Sequence, residues 1–356
     1  MPQRVLVGMS GGVDSSVAAL LLKEQGFQVE GVTLRLCADP ERITEKSLEA
    51  ERDAAAVAQR LAIPHTVWDY SRLFRDTVVQ SFSNVYQSGG TPNPCITCNR
   101  CIKFGRMLDQ ALEEGYAVIA SGHYVRSEWD ETRGRWLLKK GADPARDQSY
   151  VLYMLTQHQL AHILFPLGDY SKPELRKLAE ERGLVTANRP DSQDICFVPD
   201  GDYLSFLEKG MGVTGAPGNF VDEDGHILGK HRGVAAYTIG QRKGLGIAFG
   251  EPRFVISKDA VTNTVVLGKS ESLFSRALIA EDANWIAVES LTAPMLFTAL
   301  TRYQQRECAA MVEPCGENRF CVNFDEPQRA VTPGQAVVLY QGDVVVGGGT
   351  ILHGIS

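Results

Sequence analysis

Apolar positions at the head of the chain first run together and then space out. Arg4-Val-Leu-Val-Gly-Met9 is almost continuously apolar, and Val13, Val17, Leu20 and Leu21 then recur at three- and four-residue intervals. The first pattern predicts a buried strand and the second a helix with one buried face. The alternation continues, predicting strands over 4–9, 28–36, 65–69 and 116–121 and helices near 14–25, 48–62, 71–87 and 100–114. Gly26 and Gly115 stand where helices should stop, and Pro64 sits in a short connection. Ala117-Val-Ile-Ala120 is apolar on both faces, as in a parallel sheet covered by helices. Ser171-Lys-Pro-Glu174 has capping-box spacing and predicts a helix through about 183.

Beyond about residue 200 the pattern changes to short alternating runs separated by Gly, Asp, Asn and Pro. Phe297–Tyr303, Arg319–Phe324 and Ala336–Tyr340 read as strands of a small barrel. The fold class is therefore α/β: a parallel-sheet domain over 1–200, a small central β-rich domain over 201–272 and a C-terminal β-barrel over 273–356.

Composition narrows the class. A chain of 356 residues is too long for one ordinary core, and 44% hydrophobic with 22% charged content is that of a soluble globular protein. The chain enters a strand without a basic segment and an apolar stretch ahead of it, and no apolar run suffices to span a bilayer, so a cytoplasmic location with no membrane partner is expected. In that reducing setting the eight cysteines are expected to be reactive, metal-binding or buried rather than disulfide-bonded. A net charge of −7 argues mildly against nucleic acid, although local basic patches decide such binding. Nothing in the sequence demands more than a monomer.

Two stretches carry the chemistry. Ser10-Gly-Gly-Val-Asp-Ser-Ser16 lies between the first strand and the first helix. Gly11 and Gly12 let the backbone approach an anion, Ser10, Ser15 and Ser16 offer hydroxyls, and the helix dipole adds positive charge. No lysine follows the glycines, so the Walker pattern does not fit. Gly-Gly with serine also occurs in ordinary turns. The second stretch is Thr91-Pro-Asn-Pro-Cys95-Ile-Thr-Cys98-Asn-Arg-Cys101, with another cysteine, Cys196, in a distant polar segment. Prolines should hold the first loop extended, and the helix after it should favour the thiolates. A zinc knuckle is the bland alternative and needs a fourth ligand. Cys37, Cys308, Cys315 and Cys321 read as packing residues. If the phosphate cradle holds ATP, as its resemblance to the loop of the PP-loop ATP pyrophosphatases implies, reactive thiols beside it suggest replacement of a carbonyl oxygen by sulfur, with AMP as the leaving group.

SGGVDS at 10–15, TPNPxxxCN at 91–99, SGHY at 121–124, RDQSYVLY at 146–153, FPLGDYSK at 165–172, RPDSQDICFVPDGDY at 189–203 and YTIGQRKGLGI at 237–247 occur in this order. The first block resembles the loop of the PP-loop ATP pyrophosphatases, and the set resembles the bacterial tRNA-specific 2-thiouridylases. That resemblance implies ATP and Mg2+ as cofactors and adenylation of the 2-oxygen of the wobble uridine in tRNAs for lysine, glutamate and glutamine. It implies Cys98 as nucleophile, Cys196 as persulfide carrier, and a cysteine desulfurase or sulfur-relay protein as donor. Many members carry aspartate where this chain has Cys95, and a thiol is a poor substitute for a carboxylate. Two schemes therefore stand open: a Cys196 persulfide, or a [4Fe-4S] cluster on Cys95, Cys98 and Cys196 with one iron left for hydrosulfide.

Candidate nucleotide contacts are Gly8, Met9, Ser10, Gly11, Gly12, Val13, Asp14, Ser15, Ser16, Leu34 and Gly122. Asp14 either positions magnesium or favours the helix start, and His123 either meets phosphate or is a satisfied loop histidine. Candidate substrate contacts are Arg146, Asp147, Gln148 and Ser149, plus Arg302 and Tyr303. The first four form a polar start to an expected apolar helix, so they read either as a cap or as groups beside a flipped uridine. Basic candidates for tRNA contact are Arg100, Lys103, Arg106, Lys139, Lys140, Lys230, Arg232, Arg242 and Lys243. Two other classes use part of this set: a ligase with the same ATP loop has no need of Cys98 and Cys196, and an iron–sulfur or zinc RNA-binding module turns over no ATP.

Overall fold

In the computed structural model, residues 2–37, 39, 44–187, 189, 195–198, 201–212, 215–247 and 249–356 are described. Five strands, β1 (Arg4–Gly8), β2 (Gln28–Arg35), β3 (His65–Asp69), β4 (Val118–Ala120) and β7 (Ile163–Leu164), form a parallel sheet in the order β3-β2-β1-β4-β7. Val5, Leu6 and Val7 are fully buried, because helices cover both faces of this central strand. The helix Val13–Glu24 follows β1 directly, and the helix Glu45–Leu61 connects β2 to β3. Two longer helical stretches contain π-turns. One runs Ser71–Phe74, Arg75–Val79, Gln80–Gln87, and the other Pro94–Cys98, Asn99–Arg106, Met107–Glu113.

Two expectations fail here. The Cys95–Cys98 segment is not an extended loop ahead of a helix; it is the helix start. Asn93 caps Cys95 N–H at 3.2 Å and Pro94 takes the first helical position, where a missing N–H costs nothing. The apolar helix expected after Ser149 is only a single 3-10 turn, Ser149–Val151. Side-chain amides take the carbonyls a helix would use: Asn99 Nδ2 donates to Val151 O at 3.1 Å, and Asn284 Nδ2 to Tyr153 O and Leu155 O at 2.7 and 3.1 Å.

A hairpin within the first half, β5 (Val125–Asp130) with β6 (Arg135–Lys140), pairs away from the parallel sheet. In the middle region β8 (Gly218–Val221), β9 (Ile227–His231), β10 (Phe254–Asp259) and β11 (Thr264–Gly268) form a sheet in the order β10-β11-β8-β9. The last six strands are β12 (Phe274–Trp285), β13 (Met295–Leu300), β14 (Cys308–Pro314), β15 (Arg319–Arg329), β16 (Ala336–Gln341) and β17 (Val344–Ile355). They run β12-β15-β14-β13-β16-β17 and close through β12–β17 pairing into a barrel. The β5–β6 hairpin extends that sheet where Val344 meets Lys139. One apolar cluster joins Leu6, Ile102 and Tyr150 to Val338, Tyr340 and Val345, so the barrel packs on the helical half.

Candidate active site

The carboxyl ends of β1, β2 and β4 open on one edge of the parallel sheet, the usual ligand crevice of such sheets. Residues 8–16 cross that edge. Met9 N–H donates to Val32 O at 2.7 Å, and Met9 O accepts from Thr33 Oγ1 at 2.9 Å, which ties the loop to β2. Gly11 has φ +73, and a Cβ there would lie 2.5 Å from Ala50 O. A Cβ on Gly122, just past β4, would lie 2.9 Å from the Asp14 and Ser15 backbone. Both glycines are thus fixed by close backbone approach.

Gly12 caps the helix Val13–Glu24 without a side-chain hydrogen bond, so its first-turn N–H groups have no side-chain acceptor. That is the condition an anion needs at a helix N-terminus. The hydroxyls divide differently from expectation. Ser15 Oγ and Ser16 Oγ both donate to Gly12 O, at 3.2 and 2.8 Å, and are buried in the turn; Ser10 is exposed. Asp14 is more heavily engaged than the sequence suggests. Its Oδ1 accepts from Tyr124 Oη at 2.6 Å, and Lys172 Nζ lies 2.8 and 3.0 Å from its two carboxylate oxygens. The loop cradle suits a polyphosphate, with Leu34 half-buried at the end of β2.

Cys98 is 8% exposed, and burial pushes its thiol up to about 12; Lys103 opposes that shift, while Cys196, Cys95 and Cys101 add to it. Helix position was expected to favour the thiolate, but the start of this helix places Cys98 in the core, where desolvation outweighs any dipole. The mutual influence of these thiols places Cys196 within electrostatic reach of Cys98, across nearly a hundred residues. Cys95 and Cys196 are exposed and Cys101 is half-buried. The Cys196 segment is pinned by Phe197, whose ring meets Phe74 and Phe82 edge-on at 5.5 and 5.3 Å. Of the block around it, positions 190–194 and 199–200 lie outside the described residues. Among the described residues the cysteines do not bring three ligand atoms within 4.8 Å of one another, so a ready-made zinc knuckle is absent there.

His123 bridges the two halves. It is 8% exposed, its Nδ1 is 2.6 Å from Ser121 Oγ, and burial followed by Lys103 holds it well below its usual range. It is thus a neutral, satisfied histidine beside the same Lys103 that acts on Cys98. Asn99 Nδ2 is spent on Val151, while its Oδ1 is buried without a hydrogen-bond partner.

The substrate-side candidates separate. Asp147 accepts from Gly141 N–H at 3.0 Å and Ser149 Oγ at 2.6 Å; burial raises its pKa, and these bonds oppose the rise. Ser149 Oγ also lies 3.1 Å from Tyr340 Oη, so this pair fastens the turn to the barrel. Gln148 Oε1 accepts from Tyr124 N–H at 2.9 Å, while Arg146 is exposed. Arg302 is committed to the interior, donating to Ala330 O at 2.8 Å and Thr332 Oγ1 at 3.0 Å. Tyr303 is 42% exposed, and Asp147, Arg146 and Cys95 all act on it electrostatically, so it faces the cysteine helix from the barrel. Several basic candidates are paired: Lys139 with Glu128 and Asp343, Lys140 with Glu307, and Arg106 with Glu113. Arg100, Arg242 and Lys243 are exposed.

A family model described as the tRNA methyl transferase HUP domain matches residues 3–200. Models described as the tRNA methyl transferase PRC-barrel domain and the aminomethyltransferase beta-barrel domain match 205–269 and 275–351. The chain is 51% identical over 354 residues to tRNA-specific 2-thiouridylase MnmA 1 of Caldanaerobacter subterraneus subsp. tengcongensis, covering 98% of this chain and 97% of that protein. It is 48% identical over 355 residues to tRNA-specific 2-thiouridylase MnmA of Clostridioides difficile, covering 99% and 98%. A solved structure, U34-tRNA thiolase NcsA from Methanococcus maripaludis with its [4Fe-4S] cluster, aligns over 60% of this chain and 64% of that one. Its 19% identity and TM-score of 0.35 are too low to bear on the cysteines here.

Proposed function

This chain belongs to the tRNA-specific 2-thiouridylases, ATP-dependent enzymes that thiolate tRNA uridine, and from that premise we propose how its own residues do so. ATP lies on residues 8–16 with Leu34 and Gly122 beside it, and magnesium enters with the triphosphate, Asp14 being the carboxylate the loop offers it. The 2-oxygen of the wobble uridine in tRNAs for lysine, glutamate and glutamine attacks the α-phosphate, and pyrophosphate leaves. Cys196 carries a persulfide received from a cysteine desulfurase or a relay protein. The terminal sulfur attacks C2 of the adenylated uridine and AMP departs with the former 2-oxygen. The Cys98 thiolate then attacks the Cys196 sulfur, breaking the S–S bond to the transferred atom. Two thiols are oxidised to a Cys98–Cys196 disulfide, and the sulfane sulfur is reduced to the thiocarbonyl. The enzyme works as a cytoplasmic monomer.

The observation that supports this reading is that Lys103 acts on both Cys98 and His123 and Cys196 acts on Cys98, while Gly122, next to His123, abuts Asp14 and Ser15 of the nucleotide loop. Because Cys98 is protonated when buried, a rise in its accessibility on tRNA binding is part of the scheme. Arg146 and Tyr303 stand at the rim where the base arrives, and Asp147, Gln148 and Ser149 hold that rim in place.

A second reading is kept because four thiols lie within mutual influence where the persulfide scheme needs two. Soft thiolate donors suit iron, and Cys95, Cys98 and Cys196 are the set that would hold a [4Fe-4S] cluster, which would supply an open iron for hydrosulfide. The separating experiment is anaerobic purification with iron and acid-labile sulfide assays, followed by nucleoside mass spectrometry of tRNA incubated with ATP-Mg and a sulfur source. Iron-free protein that replaces one uridine oxygen by sulfur supports the persulfide. Activity that tracks iron content overturns it.

A further inference from the structure

The persulfide scheme uses two thiols and leaves a third beside them without a task. Cys95 and Cys98 stand three positions apart in the helical turn Pro94–Cys98. Residues at that spacing share one face of a helix with Cβ atoms about 5–6 Å apart, so a small shift of the turn lets their thiols join. The turn is a terminal one: Pro94 has no N–H to donate, and Cys95 N–H and Ile96 N–H go to Asn93 Oδ1 and Asn93 O, each at 3.2 Å. A shift there breaks no regular helical bond ahead of it.

The thiols differ in access. Cys95 is exposed, whereas Cys98 is buried. Cys101, three positions further on, is half-buried in the π-turn Asn99–Arg106 and packs against the apolar cluster that contains Cys98. Cys95 and Cys196 both act electrostatically on Cys98. Cys98 thus has two exposed thiols near it, one on its own helix and one on a distant segment.

Sulfur transfer ends with Cys98 bonded to Cys196, and that bond must open before Cys196 can accept another sulfur. Thiol–disulfide exchange opens it with no outside electrons. The Cys95 thiolate attacks Cys98 Sγ, the Cys98–Cys196 bond breaks, and Cys196 leaves as a thiolate. One disulfide is consumed and one, Cys95–Cys98, is made. Cys95 is tethered to its target by a single helical turn, an advantage over any thiol arriving from solution. A dithiol reductant from solution then attacks the exposed Cys95 sulfur, is oxidised to its own disulfide, and returns Cys95 and Cys98 to thiols.

We propose that Cys95 is the resolving thiol of this enzyme: it takes Cys98 from Cys196 after each sulfur transfer and frees Cys196 to be recharged. The inference rests on the persulfide reading and deepens it.

The test is a single turnover of the full chain, loaded with persulfide by a cysteine desulfurase and given unmodified tRNA and ATP-Mg anaerobically without reductant. Acid quenching, alkylation with N-ethylmaleimide and mass spectrometry of tryptic peptides then locate the disulfide. Cys95 and Cys98 share the peptide 76–100, so a bond between them leaves that peptide unalkylated and short of two hydrogens, while Cys98–Cys196 joins two peptides. Wild type and Cys101→Ser should carry Cys95–Cys98, with Cys196 alkylated. Cys95→Ser should form the same amount of thiouridine in that turnover and stop at the Cys98–Cys196 cross-link. With glutathione as the reductant, later turnovers of Cys95→Ser should slow at least about fivefold, and excess dithiothreitol should restore them to within about twofold of wild type. A merely structural role for Cys95 would show no such rescue. Wild type that keeps the Cys98–Cys196 cross-link with Cys95 alkylated overturns the inference, as does a Cys98–Cys101 bond in its place. Thiouridine formed with no disulfide at Cys98 in either protein would instead remove the persulfide reading.

Discussion

At the scale of single residues, burial holds the Cys98 thiol protonated. Its pKa in the fold is about 12 against an ordinary thiol value of 9.0. A raised acid favours the neutral form in the folded state, so the burial stabilises fully below pH 9 and is lost as pH climbs toward about 12. Thiolate absorbance should therefore show Cys98 silent through neutral pH, with roughly a thousandfold less thiolate than an ordinary cysteine. Iodoacetamide should label exposed Cys196 first and reach Cys98 faster once tRNA is bound. Equal labelling rates in the protein alone would contradict the buried thiol. Cys95 gives a second residue-level prediction. Under the persulfide scheme Cys95→Asp, which puts a carboxylate in place of the thiol, should keep thiolation within about tenfold, whereas a cluster losing that ligand should lose both iron and activity. Little of this was readable beforehand. Spacing identified the thiols, but whether Cys98 faces water or core depends on where the helix begins, and that turned on Asn93 and Pro94 acting as cap and first residue.

Among elements, the strand–loop–helix unit at the N-terminus followed the apolar pattern closely: β1 over Arg4–Gly8 and a helix from Val13. Local sequence dictates that unit, because the apolar run, the glycine pair and the helix-spaced apolar face follow one another directly. The role of Gly122 is not local. It abuts Asp14 and Ser15, more than a hundred residues distant, so no window of sequence exposes the contact. Gly122→Ala should push the loop helix from its seat and raise KM for ATP about tenfold or more with the fold retained, measured by pyrophosphate release. An unchanged KM would remove Gly122 from the nucleotide site. The short turn after Ser149 escaped for a comparable reason: the amides of Asn99 and Asn284 reach in from other elements and claim its carbonyls. The π-turns at Arg75–Val79 and Asn99–Arg106 also left no mark in the periodicity, since both keep an apolar face.

For the whole molecule, the barrel is more than an appendage. Hairpin β5–β6 joins it through β17, Ser149 meets Tyr340, and Tyr303 is turned toward the cysteine helix. Alternation predicted barrel strands but not that a hairpin from the first half would complete their sheet, because the pairing edges lie about two hundred residues apart. Among the described residues no helix is long and apolar enough to cross a membrane. The net charge of −7 leaves tRNA binding to local cations, for which Arg100, Arg242 and Lys243 are exposed candidates. Affinity for tRNA should fall steeply from about 50 to about 200 mM salt, and Arg242→Ala with Lys243→Ala should flatten the slope; a salt-independent affinity would contradict that footprint. The central claim is that nucleotide loop and thiols serve one reaction in two separable stages. Its most direct measurement is pyrophosphate and thiouridine quantified together, with unmodified tRNA, ATP-Mg and a persulfide donor, for wild type and Cys196→Ser. Wild type should yield the two products in matching amounts, and Cys196→Ser should release pyrophosphate while forming no thiouridine. Thiouridine formed by Cys196→Ser at the wild-type rate would contradict the account.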